Sequence, residues 1–146
     1  MKKGFSSLTL LDVSVLLPLA WPNHQFHGYA AAYMDQWQGE WATCAITQLG
    51  FVRLSSNPSI VGSVVMPSEA RRILRGMTDD ASHRYLEGLA PPVETELLDR
   101  ILGHRQTTDA YLVALAERHE AEFATFNTRL AALSDRVRVL DPSIVQ

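Results

Sequence analysis

Four short apolar runs along the chain have the length and composition of buried β-strands. They cover residues 9–13, 41–44, 123–126 and 137–140. The longer segments between them carry apolar side chains at the three- and four-residue spacing of an α-helix. Strands that alternate with helices in this way predict an α/β fold, with a parallel central sheet and helices on its faces.

The predicted helices begin at proline or polar residues and end at glycine or at an Asn-Pro pair. One is expected directly after Asp12, and the others cover residues 22–37, 47–55, 67–79, 94–102 and 110–119. The Thr-Thr-Asp sequence of residues 107–109 is a good capping cluster for the last of them. No linker or repeat interrupts the 146 residues, so we expect one domain over residues 1–146.

Oxygen-bearing side chains follow the ends of three predicted strands. Asp12 ends the first strand, Gln48 lies just after the second, Asn127 follows the third, and Asp109 lies at a helix start. Ligands of parallel sheets bind beyond the carboxyl ends of the strands, so we expect these four side chains to converge. Carboxylate and amide oxygens bind hard divalent cations, which can activate water for phosphodiester cleavage.

Each of these residues also has an ordinary structural explanation. An aspartate at the start of a helix, such as Asp12 or Asp109, commonly caps the helix or interacts with its dipole. Arg53, His104 and Arg105 are typical of a solvated surface, although arginine also grips phosphate through its fork of donors. The chemical interpretation therefore depends on the whole pattern.

Composition and charge narrow the possible classes of protein. A net charge of −3 and a pI near 5.9 argue against coating nucleic acid by bulk charge, but a nuclease with a local basic rim is compatible with them. The single cysteine, Cys44, cannot form an internal disulfide or a multi-cysteine zinc site, and its apolar surroundings predict a buried thiol. The apolar segment 8–20 is short and contains Asp12, so we expect neither an export signal nor a membrane span, and a cytoplasmic location.

Four segments of the chain resemble the motifs of PIN domains, and in particular a subgroup of VapC toxins abundant in actinobacteria. They are Leu10–Leu16, Thr43–Pro58, Gly103–Leu112 and Ala124–Asn127. The resemblance implies an α/β/α sandwich and an endoribonuclease that depends on Mg²⁺ or Mn²⁺ and cleaves tRNA, ribosomal RNA or other structured RNA. It also implies a homodimer and inhibition by a VapB-type antitoxin.

The resemblance assigns Asp12 and Asp109 to two acidic metal ligands, while Gln48 and Asn127 stand where the family most often has glutamate and aspartate. We predict that these four residues are catalytic. We predict that Arg53, His104 and Arg105 bind RNA. An amide oxygen can bind a cation but brings no charge, which weakens affinity for a second ion. We therefore predict one ion held by the two aspartates, with the two amides orienting water.

Two other classes of protein remain open at this stage. A degenerate PIN domain would keep the fold and bind RNA or an antitoxin without cleavage, and the amides at Gln48 and Asn127 favour it. A haloacid-dehalogenase-like phosphatase needs a second acid two residues after Asp12, where Ser14 stands. A receiver domain needs a further acceptor aspartate after a middle strand, and we find none.

Overall fold

The computed structural model describes residues 7–140, which form a five-stranded parallel sheet with helices on both faces. The strands are β1 (Leu8–Leu11), β2 (Glu40–Thr43), β3 (His83–Tyr85), β4 (Glu122–Thr125) and β5 (Val137–Val139). The α-helices are α1 (Val13–Ala20), α2 (His27–Gln36), α3 (Ala45–Ser55), α4 (Pro58–Val61), α5 (Pro67–Thr78) and α6 (Thr107–Arg118). Short 3₁₀ helices cover Pro92–Glu94, Glu96–Arg100, His104–Gln106 and Thr128–Leu130.

The strand order, β3-β2-β1-β4-β5, places β1 at the centre of the sheet. The chain builds outward from β1 through β2 to β3, and then returns to the other side of β1 to form β4 and β5. The direction of winding therefore reverses beside β1, and its carboxyl end meets that of β4 at a topological switch point. Such a crevice is where open parallel sheets bind their ligands.

Two buried apolar clusters hold the helices against the two faces of the sheet. Alternate residues of β1 point to opposite faces, so Leu10 belongs to the cluster that contains residues of α6, whereas Leu11 belongs to the cluster formed with α1, α3 and α5. Both leucines have no exposed surface. The α/β/α sandwich with a parallel central sheet that we predicted is confirmed.

One strand was not predicted, and three of the predicted helices differ from the structure. Strand β3 was not predicted, because its sequence His-Arg-Tyr contains no apolar run and two of its three residues are exposed. The helix expected over 94–102 is wrong, since this segment forms two 3₁₀ turns. The helix expected from Pro22 begins at His27, and the last long helix begins at Thr107 rather than Ala110.

The helices described between residues 7 and 140 include none with the length and apolar character needed to cross a membrane.

Gly39, just before β2, is expected to tolerate no side chain. A Cβ built there lies 2.3 Å from the carbonyl oxygen of Ser7, which also accepts the Glu40 N–H at 2.7 Å. Gly39→Ala must therefore displace backbone, and we expect it to lower the free energy of unfolding by about 1–3 kcal/mol in urea titrations. Gly76→Ala in α5 is the control, because its Cβ meets nothing within 4 Å, and it should stabilise by about 0.5–1 kcal/mol. Equal effects would contradict this account.

Candidate active site

The carboxylate of Asp12 lies at the carboxyl end of the central strand. Asp12 follows β1 directly, at the N-cap position of α1, and is 7% exposed. Its Oδ2 accepts hydrogen bonds from Thr125 Oγ1 at 2.7 Å and from Ser14 Oγ at 2.8 Å. Burial raises the pKa of this carboxyl, and the two hydroxyl hydrogen bonds partly oppose that shift.

The same two hydroxyls join the ends of β1 and β4. Ser14 Oγ accepts the backbone N–H of Phe126 at 3.0 Å, and Thr125 Oγ1 accepts the backbone N–H of Asn127 at 3.0 Å. Each hydroxyl thus accepts an N–H from a residue that follows β4 and donates its own proton to Asp12. These bonds hold the carboxylate in place at the switch point. Our sequence analysis missed both roles. The available signals were hydroxyl residues two positions after Asp12 and two positions before Asn127.

Asp109 and Asn127 meet at the other side of this crevice. Asp109 lies in the first turn of α6, and its Oδ2 accepts a hydrogen bond from Asn127 Nδ2 at 3.3 Å. The Oδ1 atom of Asn127 accepts the backbone N–H of Arg129 at 3.1 Å, which holds the amide with its NH₂ toward the carboxylate. Burial and then the nearby charge of Asp12 raise the pKa of Asp109 to about 6, against the lowering effect of Asn127.

Gln48 lies in the first turn of α3, beyond the end of β2. Its Nε2 donates to Thr43 Oγ1 at 3.0 Å. Within residues 7–140 it makes no hydrogen bond to Asp12, Asp109 or Asn127. The structure therefore brings three of the four predicted catalytic side chains into one cluster and places Gln48 beside it, one strand away.

The family model of the PIN domain matches residues 9–136. Two curated relatives from Mycobacterium tuberculosis are Ribonuclease VapC39, 39% identical over 84% of this chain and 90% of that protein, and Ribonuclease VapC38, 35% identical over 88% and 92%. The chain belongs to the VapC ribonucleases of the PIN-domain family. The resemblance given by its four motifs is thereby confirmed.

A solved structure shows the same fold at lower sequence identity. It is described as a toxin-antitoxin complex from Klebsiella pneumoniae, and one of its chains aligns with a TM-score of 0.61 at 16% identity. The alignment covers 91% of this chain and 98% of that chain. At this identity the comparison supports the fold of the PIN domain and nothing finer.

The donor set of this PIN domain fits a divalent cation. Asp12 and Asp109 are two partly or wholly buried carboxylates whose charges repel each other, and a cation between them would remove that repulsion. Across residues 7–140, no three side chains from His, Cys, Asp and Glu come together as metal ligands. An ion held by these two aspartates would therefore complete its shell largely with water, since Asn127 turns its NH₂ rather than its amide oxygen toward Asp109.

The predicted RNA-binding residues lie outside the carboxylate cluster. His104 and Arg105 are exposed in the 3₁₀ turn directly before α6, three to five residues before Asp109. Arg53 is exposed in the last turn of α3 and takes part in neither of the ion pairs found within residues 7–140. His104 and Arg105 thus lie in the turn that leads into the helix of Asp109, whereas no hydrogen bond or ion pair found within residues 7–140 joins Arg53 to the carboxylates.

Proposed function

We propose that this VapC ribonuclease is the toxin of a toxin–antitoxin pair and cleaves structured RNA, such as tRNA or ribosomal RNA, with Mg²⁺ or Mn²⁺. The observation that carries the proposal is the pair of mutually repelling carboxylates, Asp12 and Asp109, at the switch point of the sheet. The ion would neutralise charge at the scissile phosphate and make water more acidic. Asp12 and Asp109 would hold it.

The remaining residues of the crevice act on water and on the orientation of the acids. Asn127 holds Asp109 through Nδ2 and, with Gln48, would orient water for attack on phosphorus. Ser14 and Thr125 keep the Asp12 carboxylate directed into the crevice by donating both hydroxyl protons to one oxygen. Neither hydroxyl donates to Asp12 Oδ1, which is therefore the oxygen that we propose as the ligand.

The basic residues before α6 would bind the phosphates of the RNA backbone. We expect Arg105→Ala to raise the KM for RNA severalfold, with little change in kcat, because a phosphate contact adds ground-state affinity and is screened by salt. KM should also depend less steeply on salt concentration than in the unsubstituted protein. Arg118→Ala, which removes an exposed arginine from the last turn of α6, at the opposite end of that helix from Asp109, serves as the matched control. Equal effects of the two substitutions would count against a specific contact at Arg105.

The proposed partners are a VapB-type antitoxin and a second copy of this chain. The similarity to Ribonuclease VapC39 and Ribonuclease VapC38 favours an antitoxin partner, and the structure from Klebsiella pneumoniae that shares the fold is described as a toxin-antitoxin complex. For the homodimer we propose α2 and the segment Met66–Leu74, where Met66 is 58% and Ile73 is 36% exposed. A mass of one protomer in light scattering at working concentration would contradict the dimer.

A second function is supported by the two amides in the site. Because positions 48 and 127 carry amides, the four predicted catalytic residues include two carboxylates, Asp12 and Asp109. A PIN domain that binds RNA or an antitoxin without cleavage would show such a loss of acids. The deciding experiment incubates purified total tRNA and ribosomal RNA with the protein in Mg²⁺, Mn²⁺ or EDTA, beside Asp109→Ala. Discrete fragments that disappear in EDTA and in the variant support the ribonuclease. A folded, antitoxin-free protein that cuts under no metal supports the binding module.

A further inference from the structure

A chain of polar contacts runs from the edge strand β3 to Gln48. His83 Nε2 lies 2.8 Å from Thr43 Oγ1, and the same oxygen accepts a hydrogen bond from Gln48 Nε2 at 3.0 Å. Thr43 has no exposed surface. The register that aligns Trp41 with His83 is what brings the imidazole of β3 to the end of β2.

The imidazole of His83 is itself held in place. Its ring lies 4.6 Å from the ring of Trp41, and Trp41 Nε1 donates to Asp80 Oδ2 at 2.9 Å. The His83 backbone N–H donates to the Asp80 carbonyl oxygen at 3.0 Å. Burial lowers the pKa of His83 more than the charge of Asp80 raises it, so the ring is neutral at pH 7 and one of its nitrogens can accept a hydrogen bond.

The direction of these hydrogen bonds follows from the single hydroxyl proton of Thr43. Because Gln48 Nε2 only donates, Thr43 Oγ1 accepts from it and must place its own proton elsewhere. Within residues 7–140, His83 Nε2 is the one other hydrogen-bond partner of this hydroxyl. A buried hydroxyl proton without an acceptor is costly, so His83 accepts through Nε2 and carries its proton on Nδ1.

The hydrogen bond to Thr43 uses the NH₂ of the Gln48 amide and leaves its carbonyl oxygen as the other end. Its NH₂ is engaged by Thr43, and its carbonyl oxygen takes no hydrogen bond from any residue between 7 and 140. Helix α3 passes close to the start of α1, since a Cβ at Gly50 would lie 2.8 Å from Val13 Cγ2. The second turn of α3, which holds Gly50, thus lies beside Val13, the neighbour of Asp12, and Gln48 lies in the preceding turn, at the end of the strand next to β1.

We infer that His83 and Thr43 are positioning residues that fix the Gln48 amide with its carbonyl oxygen, rather than its NH₂, as the end offered to the acidic crevice. This inference rests on the proposed function, in which Gln48 orients water. Without an acceptor at position 83, the Thr43 hydroxyl can donate its proton to the carbonyl oxygen of a reversed Gln48 amide, which then offers an NH₂ where an oxygen is needed. The NH₂ group can neither accept a hydrogen bond from water nor bind a cation.

A long-range nitrogen–proton correlation spectrum of the full chain at neutral pH tests the direction of the chain without any reaction. We expect His83 to carry its proton on Nδ1 and to show an unprotonated Nε2. A proton on His83 Nε2 would overturn the inference. Thr43→Ser keeps the hydroxyl and should keep the His83 proton on Nδ1. Thr43→Val removes the hydroxyl, so the preference of His83 for this tautomer should be lost.

Cleavage kinetics test the consequence with variants that keep packing. Thr43→Val matches the shape of threonine, and His83→Phe keeps a ring against Trp41; each should lower kcat by about tenfold or more with KM unchanged, while Thr43→Ser retains most activity. In a Gln48→Glu background both oxygens of the side chain are equivalent, so the same two substitutions should cost no more than about threefold.

An equal loss in both backgrounds would show a merely structural role and would overturn the inference. Melting temperatures recorded beside the kinetics identify any variant that fails to fold, and whichever of Thr43→Val and His83→Phe folds then carries the comparison in the Gln48→Glu background. If the unsubstituted protein cleaves no RNA under any metal, the proposed function fails, and the His83 spectrum alone supports or overturns the orientation of the amide.

Discussion

Asp109→Asn is expected to abolish RNA cleavage and, in the same protein, to stabilise the metal-free state at neutral pH. The carboxylate is partly buried beside the charge of Asp12, and these two causes raise its pKa to about 6. An amide of the same shape removes both the desolvated charge and the repulsion, so the folded state loses an unfavourable interaction. It also removes one of two carboxylates proposed to hold the ion, and cleavage should fall by at least about 100-fold.

The pH dependence of stability has a defined sign. The ordinary pKa of the Asp109 carboxyl is 3.8, and in the folded protein it is about 6. Between these values the folded protein binds more protons than the unfolded chain, so the free energy of unfolding falls as the pH rises through this window. Thermal melts in EDTA from pH 4 to 7.5 should show this fall in the unsubstituted protein and a shallower slope in Asp109→Asn, where Asp12 alone remains. Mg²⁺ at pH 7.5 should raise the melting temperature of the unsubstituted protein only.

Asp99→Asn is the matched control for both measurements. Asp99 is an exposed acid in the 3₁₀ turn Glu96–Arg100, so the same chemical change there should leave cleavage and the melting profile nearly as they were. An Asp109→Asn variant that melts lower than the unsubstituted protein in EDTA at pH 7.5 would show that the carboxylate is not strained by its neighbours. Retained cleavage would remove Asp109 from the proposed metal ligands.

The sheet could be predicted where local sequence decides the structure. Strands β1, β2 and β4 are continuous apolar runs because they are covered on both faces, and Cys44 at the end of β2 is buried as predicted. The convergence of Asp12, Asp109 and Asn127 also follows from local signals, since each lies where an element begins or ends. Edge strand β3 could not be predicted, because its pairing with β2 is a long-range contact and its residues are mostly exposed.

Contacts between side chains at the site depended on details that the sequence does not carry. Spacing alone suggested that Gln48 would join the acids, yet its amide is engaged by Thr43, whose partner His83 belongs to the strand that was missed. The roles of Ser14 and Thr125 likewise depend on the register between β1 and β4. Residue types therefore predicted most of the buried strands and long helices, whereas the hydrogen-bond partners at the site required the topology.

Asn127→Asp is expected to make the folded protein dependent on a divalent cation for its stability. The change replaces the Nδ2 donor, 3.3 Å from Asp109 Oδ2, with a carboxylate oxygen beside a carboxylate that already repels Asp12. At pH 7.5 in EDTA we expect the free energy of unfolding to fall by about 1–3 kcal/mol, the cost of an unpaired polar group in a buried site. Mg²⁺ or Mn²⁺ should restore it, and metal affinity should rise because a third charge joins the site.

Asn57→Asp separates this effect from the chemistry of the substitution itself. Both asparagines cap a short helix through Oδ1, Asn127 to the N–H of Arg129 and Asn57 to that of Ser59, and aspartate keeps that role in both. Asn57 is exposed, so its variant should match the unsubstituted protein in urea titrations with EDTA or Mg²⁺. If Asn127→Asp behaves in the same way, no ion is held between residues 109 and 127, and the PIN domain that binds without cleaving gains the stronger support. If only the stability of Asn127→Asp depends on metal, the crevice is a cation site, and the native amide at position 127 lowers its metal affinity without abolishing binding.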